Sequence, residues 1–171
     1  MLWQACAASV SPPTGGWCTH EPGEAPGRLR GLAARLVGLV RAGFTASELV
    51  VTDDDVLMVA LAGRELDDRP RSIEFQTFNP AAQHYDPDDD EGYCIVNEDQ
   101  VTVYGGLQAV TLAGRVMVVR LTPDAARAWG LRSTGLTIKL RLDDAQIQQI
   151  RTGLQRIFAS SPTPPPDLAI E

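Results

Sequence analysis

Residues 92–131 read GYCIVNEDQVTVYGGLQAVTLAGRVMVVRLTPDAARAWGL, and residues 134–158 read TGLTIKLRLDDAQIQQIRTGLQRIF. Alternating apolar residues on both sides of Ala113-Gly114 predict a β-hairpin, because glycine readily takes the positive φ of a tight turn. Thr122 followed by proline is typical of a helix start, and a capping-box pattern begins at Asp143. This stretch therefore predicts strands, a short helix, one more strand and a final amphipathic helix.

The residues before this stretch predict three further strands. Phe44–Asp53 and Asp55–Gly63 flank a turn of acidic residues, and Ser72–Phe78 alternates between an apolar and a mixed face. Val56–Ala62 is a continuous apolar run, which predicts a strand buried on both faces. The predicted fold class is α+β: a mainly antiparallel sheet, with a short helix and a longer C-terminal amphipathic helix packed on one face.

Composition divides the chain into four segments. Residues 1–25 are rich in Pro, Gly and Ser and are expected to form a disordered leader. Residues 26–43 show helical spacing of apolar residues, which fits either an amphipathic helix or a non-native extension from a start codon assigned too early. We expect residues 44–159 to form the single α+β domain and residues 160–171 to form a disordered, proline-rich tail.

The net charge of -7 is unevenly distributed along the chain. Residues 44–99 hold 15 acidic residues and three arginines, whereas the segments before and after them are slightly basic. This distribution argues against direct binding of nucleic acid, which needs a basic face. Two interpretations stay open: a solvated acidic surface that aids solubility, or an acidic surface that speeds encounter with a basic partner.

The chain has no pattern typical of a membrane or disulfide-bonded protein. The apolar segment Gly31–Val40 is interrupted by Arg35, and the N-terminus lacks the features of a signal peptide. The three cysteines are too few for a disulfide framework and lack zinc-site spacing, and Cys94 fits a buried thiol in a strand. We therefore expect a cytoplasmic protein that is not bound to a membrane and needs no cofactor.

The acidic loop Asp86–Gly92 is the main candidate for a binding site. It fails as an EF-hand, because the sixth and twelfth positions are Glu91 and Asn97 instead of Gly and Glu. A weaker divalent-cation site of another kind stays an alternative to a solvent-exposed or partner-facing loop. Two tyrosines are candidates either for interface anchors or for core residues. The predicted partner-contact residues are Asp86, Asp88, Asp89, Asp90, Glu91, Tyr93 and Tyr104.

Signals for catalysis are sparse. His84 lies beside the acidic loop and could serve as a general base, so a small enzyme of unknown reaction is an alternative function. No nucleophile elbow, P-loop, zinc-protease or dinucleotide-binding motif occurs in the sequence. Gly105-Gly106 precedes a strand pattern and not a helix, which predicts a bend in place of a phosphate cradle. The sequence therefore assigns no catalytic, cofactor-binding or metal-binding residue.

The order of the short motifs resembles a known family. They are GYCIVN at residues 92–97, VYGGL at 103–107, Arg115–Leu121 with TPDAA after it, and Leu136–Asp144 with Ile147–Phe158. Together they are similar to the immunity protein 10 family of bacterial polymorphic toxin systems, over roughly Phe44 to Phe158. The resemblance implies a non-enzymatic, cytoplasmic protein that binds and neutralises a cognate toxin domain. The acidic segment would suit a basic nuclease as that toxin, and a general interaction or regulatory module is the remaining alternative.

Overall fold

Alternation of apolar and polar residues produces one nine-stranded sheet in the described part of the computed structural model, residues 42–88, 90–162 and 167–170. A disordered leader was predicted for residues 1–25, and a helix or a non-native extension for residues 26–43. Residues 1–41 lie outside the described part, and residues 42–43 belong to the first strand. The strands are β1 Ala42–Asp53, β2 Val56–Arg64, β3 Pro70–Phe78, β4 Cys94–Asn97, β5 Thr102–Tyr104, β6 Leu107–Ala113, β7 Val116–Leu121, β8 Gly135–Leu140 and β9 Asp167–Ile170; the helices are α1 Pro123–Ala128 and α2 Asp144–Ser160.

The strand order is β5-β4-β3-β2-β1-β8-β7-β6-β9. Neighbouring strands pair antiparallel except for β1 with β8 and β6 with β9, which are parallel. The sheet is thus mostly antiparallel, and the coarse prediction of an α+β fold is confirmed. The two parallel pairs were not predicted, because they join segments that are far apart in the chain.

The helices begin where their capping residues predict. The Thr122 hydroxyl accepts a hydrogen bond from the Ala125 amide at 3.2 Å, with proline at the first helical position. The Asp143 carboxylate accepts from the Gln146 amide at 2.8 Å, and the Gln146 side chain accepts from the Asp143 amide, so the capping box is complete. These bonds satisfy amides that would otherwise be unpaired at each helix start.

Helix α2 packs across β1, β2 and β3 and covers one face of these three strands. Its approach is close at Gly153, where a Cβ atom would lie 2.4 Å from Cγ2 of Val59. We call the face opposite to α2 the open face, because no helix of the described residues covers it. The residues that α2 buries are Ile147, Ile150, Leu154, Ile157 and Phe158.

This one-sided coverage corrects the prediction for Val56–Ala62. Leu57, Val59 and Leu61 are buried beneath α2, but the residues between them on the open face are only half-buried. A continuous apolar run therefore does not mark a strand buried on both faces here, and its second set of apolar side chains needs another explanation.

Two local predictions near the hairpin and the bend can be compared with the structure. The predicted hairpin forms, but its two-residue turn is Gly114-Arg115, one residue later than predicted, with Gly114 at φ 54°. At the bend, Gly105 has φ 59° and a Cβ on Gly106 would lie 2.8 Å from Val103 Cγ1. The prediction of a structural bend at Gly105-Gly106 is confirmed.

The C-terminal segment departs from the predicted disordered tail over residues 160–171. Helix α2 continues to Ser160, and residues 167–170 form β9, which pairs with β6. Leu168 packs against the core beside Val110, so an apolar residue after the proline-rich segment supplies the contact that orders this strand. Residues 163–166 and 171 lie outside the described residues.

Candidate partner-binding surface

The acidic loop after β3 starts against the turn between β1 and β2. The Asn79 amide donates to the Asp55 carbonyl at 3.0 Å, and its side chain donates to the Asp54 carbonyl at 2.7 Å. Asn79 is buried, so these bonds satisfy polar groups that water cannot reach. These bonds hold residue 79 beside the turn, and β4, which pairs antiparallel with β3, begins at the same end of the sheet. We call this the acidic end of the sheet: Asp53–Asp55 with the loop acids Asp86, Asp88, Asp90 and Glu91.

Two of the predicted contact residues, Asp86 and Asp90, accept hydrogen bonds within the loop. Asp90 accepts hydrogen bonds from the Tyr85 hydroxyl at 3.1 Å and from the Gly92 amide at 2.8 Å, and it is half-buried. Asp86 accepts from the Asp88 amide at 3.0 Å. Burial, and then the Asp90 carboxylate, raises the pKa of Tyr85. Asp90 therefore has a structural role, whereas Asp86 keeps an exposed carboxylate.

The remaining acids of the loop point to solvent. Asp88 and Glu91 are exposed, and neither makes an ion pair with a described residue. Asp89 lies outside the described residues. Burial raises the pKa of Tyr104, and the charges of Cys94 and then Glu91 raise it further.

Tyr93 is a correction to the predicted contact set. It is 2% exposed, lies in the core, and meets Phe158 edge-to-face with ring centroids 5.3 Å apart. Its hydroxyl accepts a hydrogen bond from the Leu107 amide at 3.4 Å. Tyr93 points to the covered face, as Ile95 does, whereas Cys94 points to the open face. Tyr104 pairs with Cys94 and shares its face, so alternation along the strands explains why Tyr93 is buried and Tyr104 is not.

Tyr104 is placed as a contact residue would be, on the open face and 54% exposed. One row of paired positions across the sheet runs from Met58 through Gln76 and Cys94 to Tyr104, and the neighbouring row pairs Val56 with Phe78. The apolar members Val56, Met58, Phe78 and Tyr104 are exposed or half-buried, whereas Cys94 between Gln76 and Tyr104 is buried; these rows lie next to the acidic end. We call this surface the apolar platform: Val50, Val56, Met58, Phe78 and Tyr104.

Four of the five platform residues were not predicted as contacts, and two of these four are about half exposed. Val50 is 52% exposed and Phe78 is 47% exposed, and both lie on the open face. The signal was available for Phe78, because the alternation of β3 places it in phase with Glu74 and Gln76, on the face predicted to be mixed. A large aromatic residue at such a position indicates an exposed contact.

At the opposite end of β2 and β3, most of the acidic side chains lie beside arginines. We call this end, residues 64–71 together with Glu98, the neutralised end. Arg71 donates from Nε to Glu65 Oε1 at 2.6 Å and from a terminal nitrogen to Glu98. Burial alone would lower the pKa of Arg71, but hydrogen bonds with these two carboxylates raise it. The other ion pairs at this end are Arg64–Asp68, Arg69–Asp67 and Arg69–Glu65.

Only one acid of the acidic end is paired within the described residues. Asp53 binds Arg156 of α2 through two hydrogen bonds of 2.6 and 2.5 Å, which lower the pKa of Asp53. Asp54, Asp55 and the loop acids have no such partner in this part of the chain. The unpaired negative charge of residues 44–99 is therefore concentrated beside the apolar platform.

The described residues give little support for catalysis by His84 or for metal binding at this surface. His84 is exposed in a turn of the loop. Within the described ranges, no three His, Cys, Asp or Glu side chains lie close enough to hold a metal ion. None of the helices in these ranges is both long and apolar enough to span a bilayer.

Exposed apolar side chains rimmed by unpaired charges are typical of a surface that binds another protein. The fold and this surface thus define a small α+β protein with a candidate surface for a protein partner. The family model described as Immunity protein 10 matches residues 44–148, and the chain belongs to this family. No curated protein and no solved structure matches the chain. Membership implies a toxin partner, and proteins of this kind are generally not enzymes.

Proposed function

We propose that this protein binds a cognate toxin domain in the cytoplasm and neutralises it by protein–protein contact. The family match over residues 44–148 is the observation that carries the proposal. The surface of the described residues is compatible with it: a rigid sheet presents exposed side chains and unpaired acids, and an inhibitor needs no catalytic group of its own.

We further propose that the toxin is basic, as a nuclease would be. A nuclease must hold phosphates with Lys and Arg, and an acidic surface can cover the same residues. In this chain most of the acids available for that purpose are those of the acidic end, because Glu65, Asp67, Asp68 and Glu98 at the neutralised end already lie beside arginines. Charge complementarity of this kind speeds association and depends on salt.

Co-expression tests the function directly. The toxin domain is taken from the gene next to the one that encodes this protein, and growth is measured with and without this protein in the same cytoplasm. We expect growth to be restored, and we expect the purified pair to form a complex in isothermal titration calorimetry. Growth that stays arrested although both proteins are soluble would refute the proposal for this pair.

A second arm tests the charge. Asp88, Asp89 and Asp90 are changed together to Asn, and association with the toxin is followed by stopped flow over a range of salt concentrations. We expect slower association and a weaker dependence on salt, because three negative charges are removed from the encounter surface. Equal association rates of the variant and the wild type at low salt would refute the electrostatic part of the proposal.

A further inference from the structure

We propose that the apolar platform is the anchoring site for the toxin, and that it receives an apolar projection of the toxin surrounded by Lys or Arg side chains. This inference rests on the proposed function and names the chemistry of the partner. It separates two tasks: the acidic end attracts the toxin, and the platform retains it.

The first argument is the placement of the exposed apolar residues. Val50, Phe78 and Tyr104 are about half exposed, although they belong to three different strands, and all three lie on the face that α2 leaves open. Between them, Val56 and Met58 are half-buried and fill the surface. Single exposed apolar residues are ordinary, but a set that spans several strands of one face is typical of an interface.

The second argument is the rigidity of the surface. The platform residues lie in inner strands of the sheet, except for Tyr104 on the short edge strand β5; Met58 is paired on both sides, and Val50, Val56 and Phe78 are paired on one side. Helix α2 supports β1, β2 and β3 from behind. Side chains on such a scaffold lose little conformational entropy when a partner binds, so their burial is converted efficiently into affinity.

The third argument is charge. Glu74 lies on the open face between Ala60 and Val96, within the area of the platform, and Glu91 acts on Tyr104 from the loop. Glu74 accepts a hydrogen bond from the Gln76 side chain at 2.7 Å, but neither carboxylate makes an ion pair within the described residues. A Lys or Arg of the partner that reaches the platform would meet an unpaired carboxylate and the face of an aromatic ring, which is a favourable site for a cation. An apolar projection ringed by basic residues fits both features.

The test measures dissociation of the complex of the full-length protein with its toxin. Phe78→Ala and Tyr104→Ala are made singly and together. We expect each single variant to dissociate on the order of 30-fold faster, since anchor aromatics at interfaces typically have effects of this size. The association rate should change little, because no charge is altered. Val116→Ala is the matched control: Val116 is also exposed on the open face, but at the β6–β7 hairpin, and this variant should dissociate as the wild type does.

The outcomes separate the two proposals. If the wild-type protein does not bind the toxin, the proposed function is wrong. If the wild type binds and the double variant dissociates at the same rate, the function stands and the anchoring role of the platform is refuted. If the double variant instead abolishes self-association in analytical ultracentrifugation without affecting toxin binding, a second copy of this chain occupies the platform, and the inference is likewise overturned. Urea unfolding of each variant verifies that the fold is retained.

Discussion

At the neutralised end of β2 and β3, the acids Glu65, Asp67 and Asp68 lie within ion-pair distance of arginines, and Arg71 joins this end to Glu98. At the acidic end of the same strands, Asp53 alone is paired among the described residues. Both ends belong to the same strongly acidic segment of the sequence. The difference shows that net charge along a chain does not locate a binding surface, because part of that charge is already satisfied within the fold.

The paired acids of the neutralised end contribute to folding, and the unpaired acids of the acidic end cost folding energy through mutual repulsion. A fold gains nothing from unpaired acids beside exposed apolar side chains. Such an arrangement becomes favourable when a basic partner covers it, which is why we assign the partner to the acidic end. Four changes would break or sharpen this comparison.

The largest effect is expected from Arg71→Met. The substitution keeps much of the side-chain volume but leaves the half-buried Glu98 without its cation, and Glu65 with a weaker one. We expect a loss of about 2 kcal/mol in the free energy of unfolding, measured by urea denaturation, because removing one partner of a shielded ion pair strands the other. Toxin binding should not change.

The matched control removes an arginine from the acidic end. Arg156 and Asp53 are both about half exposed, so water can replace their interaction. Arg156→Met should therefore leave the urea midpoint nearly unchanged. Equal destabilisation by both variants would show that the two ends do not differ in the way proposed.

The sequence predicted the local features of the fold, but it did not predict which acids are paired at the two ends. Local signals were sufficient for the caps at Thr122 and Asp143, for the bend at Gly105-Gly106, and for the strands, because each depends on residues a few positions apart. The pairing of Arg71 with Glu98 spans 27 positions, so no local pattern could reveal that these charges cancel.

The candidate surface was predicted only in part for a related reason. The acidic loop and Tyr104 stay predicted contacts, whereas Tyr93, predicted as either an interface anchor or a core residue, lies under α2 because it shares the phase of Ile95. Phe78 was not predicted as a contact residue, because the mixed face of β3 was not recognised as one that exposes an aromatic side chain. Which face of a sheet a helix covers is set by packing between distant segments, and alternation alone does not report it.

The second prediction concerns encounter with the toxin. Asp54, Asp55 and Asp88 are changed together to Asn, which removes three unpaired charges from the acidic end. We expect association to slow about tenfold at low salt, measured by stopped flow, with no loss of stability. The control changes Asp67, Asp68 and Asp99 to Asn, which alters the net charge equally at the opposite end. A control that slows association as much would mean that overall charge, and not its location, attracts the toxin.

The third prediction separates two acids of the same loop. Asp90→Ala removes the acceptor for the Tyr85 hydroxyl and the Gly92 amide. We expect about 1 kcal/mol of local stability to be lost, and therefore roughly fivefold faster hydrogen exchange at the Gly92 amide. Asp88→Ala should leave this exchange unchanged, because the Asp88 side chain is exposed and holds no partner in the described residues. Identical exchange in the two variants would refute the structural role of Asp90.

The smallest effect is expected at Cys94, which reports the negative charges beside the apolar platform. Burial, followed by the charges of Glu74 and Glu91, raises the pKa of this thiol to about 11. The neutral thiol is thus favoured in the folded state, and the associated stability is present below the ordinary thiol pKa of 9.0 and is lost as pH rises through about 11. Alkylation by iodoacetamide, in a background with Cys6 and Cys18 changed to Ser, should have its midpoint near the raised pKa.

Neutralising the two acids then tests the comparison itself. Glu74→Gln and Glu91→Gln should each lower the midpoint pH for alkylation of Cys94 modestly, since a nearby negative charge that disfavours the thiolate is removed. Asp67→Asn at the neutralised end should leave it unchanged. The midpoint is the appropriate quantity, because burial slows the reaction at every pH, whereas only the charges and the solvation of the thiol move its pKa. A midpoint that shifts equally in all three variants would show that the unpaired charge is not concentrated beside the platform.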